Sequence, residues 1–279
     1  MRSILEVYEL TKRYGETRAV DGISFAVPAG SVFTILGPNG AGKTTTMEML
    51  EGIREPDSGE MVLFGERMKK VTRAAKRRMG VLLQDGGFEP HLRVREVIQL
   101  FSSFFPSSLP VDEILDRVAL REKAGAQVRT LSGGQRQRMA VGVALVNDPD
   151  VVFLDEPTTG LDPQARRSMW EIFSDLQAQG KTILLTTHYM EEAEVLSSTV
   201  CIMDHGRIIA QGGPHELTAS LAEASVIEFQ TDGVGLDRLQ PLRQRANALR
   251  QDGMAVRVET SNLLETMATL LEWAKEEGA

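Results

Sequence analysis

The sequence predicts an α/β fold with a mixed β core, and three short segments carry that reading. SVFTIL, DVVFLDEP and KTILLTT each carry a short apolar run rich in β-branched residues and Leu, the pattern of strands buried on both faces. Each leads into a change of character: a glycine-rich turn at 36–45, the carboxylates Asp155 and Glu156, and His188. Helical segments alternate with these strands. Residues 43–50 read as a helix closed by Gly52, and QARRSMWEIFSDLQAQ spaces Met169, Ile172, Phe173 and Leu176 on one face before stopping at Gly180.

The other elements follow in order. Up to about residue 80 the chain reads as strands around EVYELTKRYG, ISFAVPAG and SVFTIL, then the helix at 43–50, with GEMVLFGERM as a hairpin; this predicts an antiparallel β subdomain beside the main core. From about 88 to 146 the signal turns helical. VREVIQLFSSFF stops at Pro106, VDEILDRVAL sets Val111, Ile114, Leu115 and Val118 on one stripe, and a third helix runs through QRMAVGVALV. Asp162 followed by Pro163 is a helix start, an N-cap and then proline at the first helical position. After the hairpin CIMDHGRIIAQG the pattern shifts. SVIEFQTDG reads as a strand, LDRLQPLRQRANALRQDG as a helix, MAVRVET as a strand and NLLETMATLLEWAKEEG as an amphipathic helix. Two domains are expected: 1–219, with an inserted helical subdomain at about 88–146, and a small α/β appendage at 220–279 with no site motif.

Within the first domain, LGPNGAGKTT is a G-x-x-x-x-G-K-T loop between a strand and a helix. Gly37, Asn39, Gly40 and Gly42, with Pro38 and Ala41 among them, let successive backbone N–H groups turn inward around a triphosphate. Lys43 adds a cation for the β- and γ-phosphates, the Thr44 hydroxyl is a magnesium ligand, and Thr45 lies in the first turn of the helix whose N-terminus would receive the anion. A second segment, LSGGQRQR at 131–138, says whose cradle this is. With such a loop upstream, LSGGQ resembles the signature of the ATP-binding cassette (ABC) family.

That resemblance implies roles for the remaining motifs. DVVFLDEP is similar to the family's Walker B strand, so that Asp155 would hold the hydrated magnesium and Glu156 would polarise the water attacking the γ-phosphate in line. TTGLDP at 158–163 looks like the D-loop, with Asp162 the matching acid. His188 resembles the switch histidine that hydrogen-bonds the γ-phosphate and the attacking water. Tyr14, in TKRYGE, stands where the family places an aromatic stacked on adenine, a contact worth about 1–3 kcal/mol by analogy with base stacking; a plain surface tyrosine is the alternative. Gln84 matches the Q-loop glutamine that reaches the magnesium and senses the γ-phosphate, although Asp85, Gly86 and Gly87 after it depart from the commoner pattern. Ser132, Gly133, Gly134 and Gln135 open a helix whose N-terminus favours an anion. In the family they close over the nucleotide of a second subunit, so a dimer, expected as a homodimer, is implied.

Composition bounds the rest. With 279 residues, 42% hydrophobic and 25% charged, the chain has ample core. It carries one copy of each motif, half of a paired ATPase. No stretch approaches the eighteen or so uninterrupted apolar residues of a membrane-spanning helix, and MRSILEVYEL lacks the apolar core of a signal peptide. A cytoplasmic protein, peripheral on the inner face of the cell membrane and docked on separately encoded transmembrane permease subunits, is therefore the expectation under the resemblance. Cys201, the single cysteine, reads as a buried thiol in a reducing compartment. The net charge of −8 argues against a nucleic-acid partner, and the basic run Lys69, Lys70, Arg73, Lys76, Arg77, Arg78 reads as a solvated helix face.

THYMEEAEVLSS, DHGRIIAQGGPHEL and the appendage after them are similar to the ATPase subunits of drug- and antibiotic-resistance-type ABC exporters. The resemblance implies an ATPase using ATP and Mg2+ to drive transport by dimer closure, an exporter by preference. An importer subunit and a soluble ABC ATPase remain alternatives, the latter disfavoured by the lack of tandem cassettes or long coiled-coil insertions. Phe88 and Leu92 either line a groove for the membrane subunit or fill the core.

Overall fold

A long hairpin, β1 (Ser3–Tyr14) and β2 (Thr17–Pro28), opens the computed structural model, which describes residues 2–82, 87–222, 225–231, 239–260 and 263–277. β3 (Val32–Leu36), α1 (Lys43–Leu50), β4 (Ser58–Leu63), β5 (Glu66–Met68), α2 (Arg73–Lys76) and β6 (Met79–Leu82) follow. A helical stretch comes next, with α3 (Val94–Ser102), α4 (Val111–Arg117) and α5 (Gly133–Ala144). The order then alternates through β7 (Val151–Asp155), α6 (Pro163–Ala178), β8 (Thr182–Thr187) and α7 (Met190–Leu196), and ends the larger unit with the hairpin β9 (Thr199–Asp204) and β10 (Arg207–Gly212).

Two sheets result. The antiparallel one runs β2-β1-β4-β5; the other runs β10-β9-β3-β8-β7-β6 and is parallel throughout except for β10 at its edge. Parallel neighbours need crossovers, which α3–α5, α6 and α7 supply. The central strands are buried at every residue because their side chains alternate between two cores. Phe33, Ile35, Phe153 and Leu184 join Leu5, Leu10, Met47 and Leu50 of the antiparallel sheet and α1. Val32, Val152, Leu154, Ile183 and Leu185 face the other way, onto Ile98, Leu115, Met139 and Phe173 of the helices. The uninterrupted apolar runs in the sequence are the signature of that double burial.

Register places the functional ends. Leu36 pairs with Thr187 and Asp155 with Thr186, so Gly37, Glu156 and His188 leave the sheet at one edge, the carboxyl ends of parallel strands where ligands bind in such folds. α1 closes with a doubly bonded terminus: Gly52 N–H donates to Met49 O and Ile53 N–H to Glu48 O. α6 starts as the sequence indicates, with Asp162 Oδ1 accepting from Ala165 N–H at 2.9 Å and Pro163 at the first helical position.

The chain divides into two compact units, Met1–Pro214 and His215–Ala279. In the second, α8 (Pro214–Ala222), β11 (Ser225–Gln230), α9 (Gln240–Arg245), β12 (Ala248–Asp252), β13 (Ala255–Thr260) and α10 (Leu263–Glu277) build a sheet in the order β11-β13-β12, with Ile227, Leu242, Val256, Val258 and Trp273 in its core. One expectation fails here. The segment expected as a single helix from LDRLQPLRQR through NALRQDG is helical only over α9 among the described residues, and its second half is β12. Asp252-Gly253 is the reason. Gly253 has φ 60°, a two-residue turn pairs Asp252 with Ala255, and the hairpin gives Leu249 a place opposite Val258 that a helix would not. No helix of the described residues is long and apolar enough to cross a membrane.

Candidate functional site

The loop after β3, the end of β7 and the β1–β2 hairpin line one cleft of about 300 Å³, with Tyr14, Ala19, Asn39, Gly40, Gly42–Thr45 and Glu156 in its walls. Gly42 is the N-cap of α1 at φ 102°, and no side chain caps the helix. The first N–H groups of α1 therefore have no side-chain acceptor, as an anion site requires. Any side chain at Gly42 would be excluded, because a Cβ there would lie 2.2 Å from the Ala19 carbonyl oxygen.

Lys43 is 4% exposed. Its Nζ donates to the carbonyls of Gly37 (2.9 Å) and Pro38 (3.1 Å) and lies 3.2 Å from Glu156 Oε1. Glu156 sits at φ 46°, a conformation L side chains adopt only under constraint. The constraint is visible: its N–H donates to Thr186 Oγ1 at 2.9 Å, Thr159 Oγ1 donates to its Oε2 at 3.1 Å, and His188 Nδ1 lies 3.3 Å from the same oxygen. Burial pushes the Glu156 carboxyl up, but the hydrogen bond and charge of Lys43, helped by Thr159 and His188, outweigh it and hold the group below the usual carboxylate range. Asp155 is shifted the other way. Burial raises it, against hydrogen bonds from Thr186 and Thr44. The two neighbouring carboxylates are thus shifted in opposite directions.

Thr186 escaped sequence reasoning. Its hydroxyl donates to Asp155 Oδ1 and accepts from the Glu156 N–H, fixing both acids from the adjacent strand. The available signal was a polar pair closing the otherwise aliphatic run TILLTT. Below the site, at the end of α1, Glu51 is buried; burial first, then the charges of Asp155 and Glu48, push its carboxyl up to about 8. Tyr14 lines the cleft mouth with the Arg54 guanidinium 5.2 Å from its ring centroid.

Other expected residues lie elsewhere. Ser132, Gly134, Gln135 and Arg138 flank a second, polar cleft of about 320 Å³, opposite Asp162 and Gln164. Ser132 Oγ accepts from Gln135 N–H at 3.2 Å while Gln135 Oε1 accepts from Ser132 N–H at 3.0 Å, a reciprocal cap that starts α5 at Gly133. The two clefts share no lining residue. Gln84 lies outside the described residues. An apolar groove of about 250 Å³ runs past Met79, Val81, Phe88, Phe101, Phe105 and Val143; Phe88 and Leu92 both pack against the helical core, and of the two only Phe88 also lines the groove.

Among the described residues no three His, Cys, Asp or Glu side chains cluster as a metal cage. The Thr44 hydroxyl hydrogen-bonds the Asp155 carboxylate, and this sparse pair of oxygens suits Mg2+, an ion that keeps its waters and binds through one or two protein ligands plus substrate phosphates.

A phosphate loop on a strand-to-helix turn, with acidic and basic side chains at the adjoining strand ends, defines a P-loop nucleotide-binding ATPase. Residues 20–159 match the model of the ABC transporter family. The chain is 48% identical over 254 residues to the Nod factor export ATP-binding protein I of Ralstonia nicotianae, covering 88% of this chain and 78% of that one. It is similar to the ADP conformation of an ATP-binding cassette of an ABC transporter (TM-score 0.72, 25% identity, 80% of this chain and 96% of that). It is also similar to a part of the cbiONQ ABC transporter complex of Clostridium perfringens (TM-score 0.70, 30% identity, 79% and 92%). The chain belongs to the ABC transporter family as an ATP-binding subunit, and it is an ATPase.

Proposed function

We propose that this subunit powers an exporter, working as a dimer on separate membrane-spanning subunits at the inner face of the cell membrane. Export is supported by the relatives, which are named for Nod factor export. The observation that carries the catalytic reading is the Glu156 carboxylate held between Lys43 Nζ at 3.2 Å and His188 Nδ1 at 3.3 Å at the mouth of an uncapped helix.

In this reading the triphosphate of ATP takes the N–H groups of α1 and the residue 37–42 loop, and Lys43 turns from Glu156 toward the β- and γ-phosphates. Tyr14 offers its ring to adenine. Glu156, released from Lys43, accepts a proton from water as the water oxygen attacks the γ-phosphorus and the bond to the bridging oxygen breaks, leaving ADP and phosphate. His188 orients the γ-phosphate and the water, and Gln84, which lies outside the described residues, is read as the γ-phosphate sensor. Mg2+, held through Thr44 and Asp155 when bound with the nucleotide, would neutralise charge across the phosphate oxygens. Ser132–Gln135 and Asp162 meet the nucleotide of the second subunit, a reading supported by their separate cleft. The ATPase portion is read as running through about residue 219, and the sequence of 220–279 carries no phosphate, metal or base motif.

Glu156→Gln tests this. The amide keeps the shape and cannot take the proton, so ATP affinity should persist, turnover should fall at least about a hundredfold, and an ATP-loaded dimer should accumulate on size-exclusion chromatography. Turnover near the parent rate would move the base elsewhere. For export, inverted vesicles holding this subunit with its membrane partner should accumulate substrate on addition of ATP; depletion of preloaded vesicles would reverse the direction.

A further inference from the structure

Among the described residues, no hydrogen bond fixes the His188 ring on its Nδ1 side. Nδ1 is buried and lies 3.3 Å from Glu156 Oε2, but without the alignment of a hydrogen bond to any described residue. What the imidazole does have is a ring against it. The centroid of Tyr189 is 4.1 Å from that of His188, with the planes tilted by 42°. Tyr189 is in turn covered by the guanidinium of Arg166, whose central carbon is 4.1 Å from the ring centroid and whose buried Nε has no hydrogen-bond partner among the described residues. A planar guanidinium over an aromatic face is a favourable stack, and here it is the contact that orients the Arg166 head group toward Tyr189.

Arg166 belongs to the first turn of α6, and its N–H donates to the carbonyl of Asp162 at 2.9 Å. A second tie joins the same helices: Glu192 of α7 accepts from Trp170 Nε1 of α6 at 2.9 Å, and from Thr158 Oγ1 at 2.8 Å. With that clamp setting the helix spacing, the Arg166 side chain has a fixed base from which to press on Tyr189.

We propose that Tyr189 and Arg166 are positioning residues that hold the His188 ring against Glu156 and link its orientation to the first turn of α6. This rests on the reading of His188 as the group that orients the γ-phosphate and water. Movement at Asp162, which borders the signature cleft, would then reach Glu156 through Arg166, Tyr189 and His188. Neither Tyr189 nor Arg166 needs to touch nucleotide.

The test uses the full-length protein and compares steady-state ATP hydrolysis, ATP affinity and melting temperature across His188→Ala, Tyr189→Leu, Tyr189→Phe, Arg166→Met and Arg166→Lys. Tyr189→Leu removes the ring and should lower kcat about tenfold, with KM for ATP within about twofold. Tyr189→Phe keeps the ring and should restore the parent rate. Arg166→Met should lower kcat by a severalfold factor, and Arg166→Lys, which keeps a cation but loses the planar stack, should recover only part of it. Parent kcat in Tyr189→Leu, or a Phe variant as slow as the Leu one, overturns the proposal. If Tyr189→Leu unfolds, the Arg166 pair decides, and equal parent rates in both of its members overturn the proposal. A His188→Ala variant at the parent rate sinks the underlying reading of His188 instead, whatever the others do.

Discussion

Glu192 is fully buried, and replacing it separates a packing role from a hydrogen-bonding one. Its Oε1 accepts two hydrogen bonds, from Thr158 Oγ1 at 2.8 Å and Trp170 Nε1 at 2.9 Å, while Oε2 is buried with no partner among the described residues. Glu192→Ala would strand both donors, at roughly 1–3 kcal/mol each, and leave a small cavity. Relief of a buried acid that has no cation partner among the described residues offsets part of this. The net expectation is a loss of about 2–4 kcal/mol, which for a chain of this size lowers the melting temperature by roughly 5–15 °C. Glu192→Gln keeps a carbonyl oxygen for both donors and should stay within about 1 kcal/mol of the parent. Calorimetry or circular-dichroism melts of the full chain read both. A Gln variant as unstable as Ala, or an Ala variant melting with the parent, would refute the two-donor account.

Lys43→Ala removes a charge-assisted phosphate contact worth about 1.5–3 kcal/mol, so ATP affinity by titration calorimetry should fall about 10- to 150-fold; unchanged affinity in a folded variant contradicts the cradle. Glu51 bears on pH. Its carboxyl is raised to about 8 in the fold, well above the usual carboxylate range, so the native state binds the extra proton and stability falls as pH rises toward that value; Glu51→Gln should therefore melt higher than the parent by a margin that grows from about pH 6 to about pH 9. A constant margin would mean that Glu51 is already ionised in the fold. Phe88→Glu and Leu92→Glu should both lower the melting temperature, since both side chains pack against the helical core, but only Phe88→Glu, in the groove, should weaken transport by the assembled complex beyond the loss of folded subunit. Equal transport per folded subunit in both variants would assign Phe88 to the core alone.

Local pattern alone determined the strand-to-helix phosphate loop, the caps at Asp162 and Ser132, and the apolar strands, because each depends on residues within a few positions of one another: Gly42 before Lys43, Asp162 before Pro163, Ser132 three before Gln135. The same locality failed at 246–253, where a helical reading of LRQRANALRQ lost to a hairpin whose stabilising partner, Val258, lies beyond the turn. Contacts across strands and helices were decided by the tertiary structure. Thr186 reaches Asp155 from the adjacent strand, Lys43 meets Glu156 across the sheet edge, and Arg166 covers Tyr189 from a helix packed beside it. Tertiary burial also decided which acid is raised and which lowered. Asp155 and Glu156 are adjacent in sequence and chemically alike, and only desolvation and the placement of Lys43 drive their carboxyls apart.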